Sequence, residues 1–129
     1  MTTPTATAAV HAPETIEFVA GSADDIVIPL FDATGETIDI AGWTGRLEIR
    51  YAPGHPQLLA HWATDYEAAL MRLESSAAVL VVDEGLAAVS LAWAWRLAQY
   101  DLALRAPNGR PARPHRGIAR VIPGITETI

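Results

Sequence analysis

The residues best suited to chemistry in this chain are its four histidines, because imidazoles bind metals and transfer protons. They are His11, His55, His61 and His115, and no two are four positions apart as an H-x-x-x-H motif requires. A zinc site needs three or four converging ligands. The chain has no cysteine, which excludes thiolate ligands and disulfides. We therefore expect histidines on loops and surfaces, with no metal site and no cofactor.

Two acidic pairs, Asp24-Asp25 and Asp83-Glu84, fall in segments that predict turns, where aspartate is favoured. Neither belongs to an EF-hand calcium loop. The sequence does not exclude a pair of carboxylates that acts as in a glycosidase, although a chain of short strands implies no cleft for such a site. No P-loop, G-x-S-x-G or dinucleotide fingerprint occurs. The sequence predicts a protein that is not an enzyme.

Tryptophan is the commonest aromatic residue, with four copies against three tyrosines and two phenylalanines. Each large ring gains free energy by burial, so we expect Trp43 and Trp93 in the core. Trp62 and Trp95 are candidate interface residues, either against another subunit or as a platform for a sugar ring. Trp93 and Trp95 share a face if their segment is extended.

Basic residues concentrate near the C-terminus, although the net charge is −6. The cluster comprises Arg105, Arg110, Arg113, His115, Arg116 and Arg120. The acidic balance argues against nucleic acid as the main partner, because phosphate neutralisation needs a concentrated basic surface. We expect a solvated strand face that pairs with carboxylates, and Arg110, Arg113 and Arg116 are candidate interface residues. Local phosphate binding is the alternative.

A length of 129 residues predicts one domain. Residues 1–14 are rich in Thr, Ala and Pro and show no periodicity, which predicts an extended N-terminal arm that a neighbouring subunit holds in place. The domain then covers residues 15–129. No apolar run reaches the length of a membrane span. No secretory leader follows Met1, so we expect synthesis in the cytoplasm and no membrane partner.

Short strands must position these residues. Alternation and turn signals predict strands over residues 15–19, 25–31, 44–51, 58–62 and 77–82. In the third, Leu47, Ile49 and Tyr51 lie on one side, and Arg46, Glu48 and Arg50 on the other. Pro29 marks the second strand as an edge or a bulge. Residues 86–93 are expected to form a hairpin with residues 77–82 around Asp83-Glu84-Gly85.

Two connections leave alternatives open. Thr64 and Glu67 match a capping box, which predicts a short helix near residues 65–73, and an extended connection is the other interpretation. Residues 93–99 are either a continuing strand or a helical turn.

The chain closes on a predicted hairpin. Tyr100, Leu102 and Leu104 alternate with polar or small residues, and Asn108-Gly109 predicts a type I′ turn. Two prolines follow at positions 111 and 114, so regular pairing is expected only near Gly117. About seven short strands separated by regular turns are the pattern of an antiparallel β-sandwich.

Several segments carry a family resemblance in their order and spacing. They are Gly21-Ser22, the F-D-A-T-G-E-T-I-D-I-A-G-W run from Phe31, the R-L-E-I-R run from Arg46, Tyr100 to Gly109, and Gly117 to Thr126. Together they resemble the small immunoglobulin-like module of tailed-bacteriophage structural proteins, similar to the N-terminal domain of the phage baseplate upper protein. The resemblance covers residues 15–126, and residues 65–76 and 93–99 depart from it.

The resemblance implies an all-β, immunoglobulin-like sandwich that works as a structural virion component without catalytic residues. Its place would be the tail, baseplate or neck, in symmetric rings with copies of itself and other phage structural proteins. Two alternatives stay open. One is a carbohydrate- or receptor-binding module, which the tryptophan content favours, and the other is a capsid cementing (decoration) protein.

Overall fold

The structure is a computed structural model that describes residues 10–52, 54–112 and 115–123. These residues form eight strands, one α-helix and one 3-10 helix. The strands are β1 Thr15–Val19, β2 Ile26–Pro29, β3 Thr44–Arg50, β4 Ala60–Ala63, β5 Met71–Glu74, β6 Ala77–Leu80, β7 Leu97–Arg105 and β8 His115–Ile122. The 3-10 helix spans Glu67–Ala69 and the α-helix, α1, spans Glu84–Ser90. The predicted all-β class is confirmed.

The strands form two sheets, with orders β1-β8-β7-β3-β4 and β2-β6-β5. Neighbouring strands are antiparallel, except that β1 runs parallel to β8. The orders β8-β7-β3-β4 and β2-β6-β5 follow those of strands G-F-C-C′ and B-E-D in an immunoglobulin sandwich. The first strand joins β8 instead of β2. As Pro29 predicted, β2 lies at a sheet edge.

Alternating side chains of the two sheets fill one core. Leu47 and Ile49 of β3 are fully buried, and so is Ile28 of β2 apart from 1% of its surface. Phe18 and Trp62 stack with their ring centroids 5.3 Å apart, although β1 and β4 form opposite edges of the larger sheet. That sheet therefore curls around the core.

The closing hairpin lies inside the larger sheet, since β8 pairs with β1 and β7 with β3. Regular pairing begins at His115 opposite Leu102, close to the predicted Gly117. The predicted type I′ turn is wrong. The amide of Gly109 donates to the carbonyl of Ala106, which puts Pro107 in the first central position, where a fixed negative φ favours a type I turn. Gly109 alone in this turn has a positive φ, +87°.

The hairpin predicted around Asp83-Glu84-Gly85 is also wrong, because α1 occupies this segment. The Asp83 carboxylate accepts a hydrogen bond from the amide of Leu86 at 2.8 Å, as an N-cap does. The helix buries Ala87 and Ser90, whose spacing of three is helical. The Ser90 hydroxyl donates to the carbonyl of Ala87 and accepts from the amide of Gly21, which joins the helix to the turn after β1.

The capping box at Thr64 does not form. The Thr64 hydroxyl bonds the backbone of Gly45 on β3 instead, and the α-helix expected near residues 65–73 is reduced to the 3-10 helix followed by β5. Of residues 93–99, those from Leu97 onward belong to β7. Tyr51, predicted on the buried side, lies beyond the end of β3 and is 44% exposed.

Part of the predicted arm packs on the domain. Val10 is buried, and His11 and Phe31 exchange two backbone hydrogen bonds of 2.7 and 2.9 Å. Residues 1–9 of that arm lie outside the described residues, as does the C-terminal end of the resemblance beyond Pro123. Within the described part of the chain, no helix combines the length and apolarity needed to cross a bilayer.

Candidate functional surfaces

The two tryptophans predicted at an interface lie in the core. Trp62 is 0% exposed and Trp95 is 4% exposed. The indole N–H of Trp62 donates to the carbonyl of Val81 at 3.2 Å, reaching the end of the smaller sheet. Both rings are covered by their own chain, which contradicts the expectation that they face a subunit or a sugar.

The two tryptophans predicted in the core lie at its margin. Trp43 and Trp93 are half-buried. The ring of Trp93 lies 5.0 Å from that of Trp95 and 6.0 Å from that of Phe18, measured between centroids. Trp62 and Trp95 thus belong to the core, and Trp43 and Trp93 pack against it while partly buried.

Of the candidate interface arginines, Arg110 and Arg116 are described, and they do not converge. Arg110 is exposed in the hairpin turn, where its amide donates to the side chain of Asn108. Arg116 is exposed on β8, and its guanidinium lies 3.6 Å from the carboxylate of Asp101 on β7. Arg113 lies outside the described residues. Arg110 and Arg116 therefore lie apart along the hairpin, and Arg116 is paired with a carboxylate.

The outer face of the larger sheet has a charged half over β3 and β7. Glu48 forms ion pairs with Arg46 at 2.9 Å and with Arg50 at 3.5 Å. The pair of Arg116 and Asp101 continues this network towards β8. These side chains are partly exposed and satisfy one another, as a solvated face does.

The other half of that outer face, over β1, β8 and the start of β7, carries four exposed apolar side chains among the polar residues Thr15, Glu17, Gln99 and Arg120. The apolar side chains are Val19 (49%), Leu97 (61%), Ile118 (43%) and Ile122 (39%). Val19 is the register partner of Ile122 across the parallel pair. We call these four residues, with Glu17 and Arg120 between them, the β1–β8 patch.

A shallow groove of about 400 Å³ separates β4 from α1. Its lining includes His61, Tyr66, Trp93, Asp83 and Val89. The rings of His61 and Tyr66 stack with centroids 4.5 Å apart, and Tyr66 is 39% exposed. Burial, and secondarily Arg46, lowers the pKa of His61 and so favours its neutral form. The groove presents aromatic faces, and carbohydrate sites use such faces.

Tyr100, which is buried, and His115, which is partly buried, lie where residues 10–14 cross β7 and β8. Burial raises the pKa of Tyr100, whose hydroxyl donates to the carbonyl of Pro13. Burial lowers the pKa of His115 most. The backbone hydrogen bond with Pro13 partly offsets this, and the nearby His11, 6.4 Å away between ring centroids, adds to the lowering. The Tyr100 hydroxyl thus fixes the segment before β1, and the Tyr100 ring also lines a small pocket of about 50 Å³. Among the residues with described positions, no three potential ligands gather as a metal site.

A comparison with models of protein families finds none that matches this chain, and a comparison with curated proteins finds no match either.

Proposed function

We propose that this protein is a non-enzymatic building block or adaptor of a tailed bacteriophage particle, placed in symmetric rings of the tail, baseplate or neck. The order of its sequence motifs on an immunoglobulin-type sandwich carries this proposal. Its partners are copies of itself and other structural proteins of the particle. A fold alone hosts many functions, so the motifs carry more weight than the architecture.

The motif residues serve the sandwich and support a structural role. In the turn after β2, the Asp32 carboxylate accepts hydrogen bonds from the amides of Thr34 and Glu36. Gly35 in that turn has a φ of +86°. The hydroxyl of Thr34 also donates to the Asp32 carboxylate at 2.6 Å, and that bond lowers the pKa of Asp32 most, which keeps the carboxylate charged as an acceptor. Such residues shape a turn and present no reacting group.

The exposed surface gives independent support. Exposed apolar side chains grouped on one face of a domain mark contacts with other molecules, and the β1–β8 patch has four of them. A component that packs against neighbours in a particle needs such a face.

Immunogold electron microscopy with an antibody to this chain tests the proposal on particles induced from the strain that carries the gene. Labelling of the tail, baseplate or neck is expected. Labelling confined to the head would replace the proposal by the cementing alternative. Particles that lack the protein altogether, or a gene far from any phage structural operon, would overturn it.

A second candidate function is carbohydrate binding at the groove between β4 and α1. The stacked pair of His61 and Tyr66, with Trp93 also in the groove lining, favours it, because sugar rings pack on exposed aromatic faces. Tryptophan fluorescence during titration with a glycan panel is the test, with Tyr66→Ala as the variant and Tyr51→Ala as the matched control. Unchanged emission with every glycan would remove this candidate.

A further inference from the structure

We infer that the β1–β8 patch packs against the same patch of a second copy of this chain around a two-fold axis. In this contact Glu17 of each copy pairs with Arg120 of the other. The inference deepens the proposed function, on which its biological setting rests. The contact itself is a property of the isolated protein and can be measured apart from any particle.

The first argument is the arrangement of the apolar residues. Strand register places Val19 beside Ile122, and Leu97 beside Arg120 on the opposite strand. Ile118 lies two residues before Arg120 on the same outward face of β8. Each of the four apolar side chains exposes more than a third of its surface. Ile118, Ile122 and Leu97 therefore flank Arg120 on three sides, and Val19 lies two residues after Glu17 on the same outward face of β1.

The second argument is the behaviour of the two charges. Glu17 and Arg120 are register partners on β1 and β8, and both are exposed. On the same sheet face, Asp101 and Arg116 are also register partners and form an ion pair. Glu17 and Arg120 take part in none of the ion pairs among the described residues. Each is therefore open to a partner from outside this part of the chain.

The third argument selects a second copy as that partner. A two-fold contact brings a surface onto itself, so it requires self-complementary chemistry. Opposite charges side by side meet that requirement, because a two-fold axis between them places each Glu17 opposite an Arg120. A buried charge without a partner would destabilise the complex strongly. Two such ion pairs within the contact give every buried charge a partner.

The position of β1 makes the contact accessible. β1 is the edge of the larger sheet, and the described residues place no further strand beside it. The ion-paired half over β3 and β7 lies away from this edge. Two copies can therefore approach through their β1–β8 patches while the charged halves stay in water.

Charge reversal distinguishes this geometry from other contacts. We expect Glu17→Arg and Arg120→Glu each to be dimerisation-defective, because like charges then face each other twice. Mixing the two variants restores both attractive pairs. The arginine introduced in one copy faces the glutamate introduced in the other, and the unchanged Arg120 and Glu17 of the two copies form the second pair. Dimerisation is restored in the mixture only if residue 17 of each copy faces residue 120 of the other across a two-fold axis.

Sedimentation velocity over a wide concentration range, with full-length protein, supplies the measurement. The wild type is expected to form a dimer, and each single variant is expected to weaken it by about tenfold or more. Glu67→Arg reverses an exposed charge on the 3-10 helix, outside the patch, and is the matched control. It should dimerise like the wild type. Circular dichroism of every variant verifies that its fold is retained.

A wild type that stays monomeric at all concentrations would overturn the inference, and would mean that the rest of the chain or a different protein covers the patch. A dimer unaffected by either charge reversal, or a mixture that stays monomeric, would overturn it as well. A charge-dependent dimer in a protein that no phage particle contains would uphold this contact and refute the proposed function. A protein that is found in the particle but never dimerises would uphold the proposed function and refute this contact.

Discussion

The hydroxyl of Tyr100 on β7 donates a hydrogen bond to the backbone carbonyl of Pro13, 87 positions earlier in the chain. The ring is 1% exposed, and its burial raises the pKa of the hydroxyl, which therefore stays protonated as a donor. The same ring covers Gly117 on β8. One side chain thus joins the segment before β1 to the centre of the larger sheet.

We expect Tyr100→Phe to keep the fold and lower its stability. The ring stays in place, but the Pro13 carbonyl loses its donor, and a buried hydrogen bond contributes about 0.5–1.5 kcal/mol. Urea denaturation followed by tryptophan fluorescence measures the free energy of unfolding. An unchanged midpoint would show that the bond contributes nothing.

Gly117 occupies a position where no side chain fits. An added Cβ would lie 2.5 Å from the carbonyl oxygen of Glu14 and would overlap the Tyr100 ring. We therefore expect Gly117→Ala to destabilise the domain by about 1–3 kcal/mol, as overpacking does. Gly85→Ala is the control, since its Cβ meets only the Asp83 carboxylate at 3.4 Å inside α1. That variant should gain stability, by up to about 1 kcal/mol, and equal melting temperatures for the two would contradict the packing described.

Adjacent positions on β7 should respond oppositely to the same substitution. Leu102 is 1% exposed in the core, so Leu102→Asp buries an unpaired charge and should prevent folding. Ala103 points outward beside its register partner Arg46, which can accept a carboxylate neighbour. Ala103→Asp should therefore fold with nearly wild-type stability. Circular dichroism on both purified variants gives the comparison, and a folded Leu102→Asp protein would contradict the position of β7.

Helix capping separates the true helix from the false sequence signal. Asp83→Ala removes the acceptor of the Leu86 amide and should cost about 0.5–2 kcal/mol. Glu67→Ala removes the other half of the predicted capping box, where the structure has no side-chain cap bond. Its effect on the unfolding midpoint should be within error. A large loss of stability in Glu67→Ala with none in Asp83→Ala would instead support the helix predicted near residues 65–73.

Stability should fall as the pH drops below neutrality. Burial lowers the folded-state pKa of His115 and His61 below the usual value of 6.5, so the unfolded chain binds protons more readily. The two neutral histidines contribute fully to the free energy of unfolding above pH 6.5. This contribution is lost as the pH falls through the pKa of each histidine in the folded state. Denaturation midpoints at about pH 7.5 and pH 5.5 measure the loss. His115→Gln should flatten this dependence, and an unaltered slope would show that His115 does not contribute to it.

Most strands were predictable because their alternation is clean. Thr15–Val19 coincides with its prediction, and Leu47 and Ile49 are buried as their spacing in β3 indicated. Local sequence decided these elements because one face meets the core and the other meets water.

The helix and the tryptophans could not be predicted in the same way. A seven-residue helix that buries only Ala87 and Ser90 leaves almost no periodic signal, and Asp83-Glu84-Gly85 suits a hairpin turn equally well. Trp62 and Trp95 are buried because the curled sheet brings Phe18 against both. That contact joins distant strands, so only the tertiary arrangement reveals it. The β1–β8 patch was missed for the same reason, as its members come from three strands.

The parallel pairing of β1 with β8 sets an order of events during synthesis. Thr15 on β1 lies beside Ile118 on β8, so the two strands meet across almost the entire chain. While the ribosome is still producing the middle of the chain, β1 has no partner for its backbone groups. Contacts between such distant positions form slowly, and an unpaired strand attracts other chains. Newly made copies are therefore most vulnerable to aggregation until their final strand leaves the ribosomal tunnel.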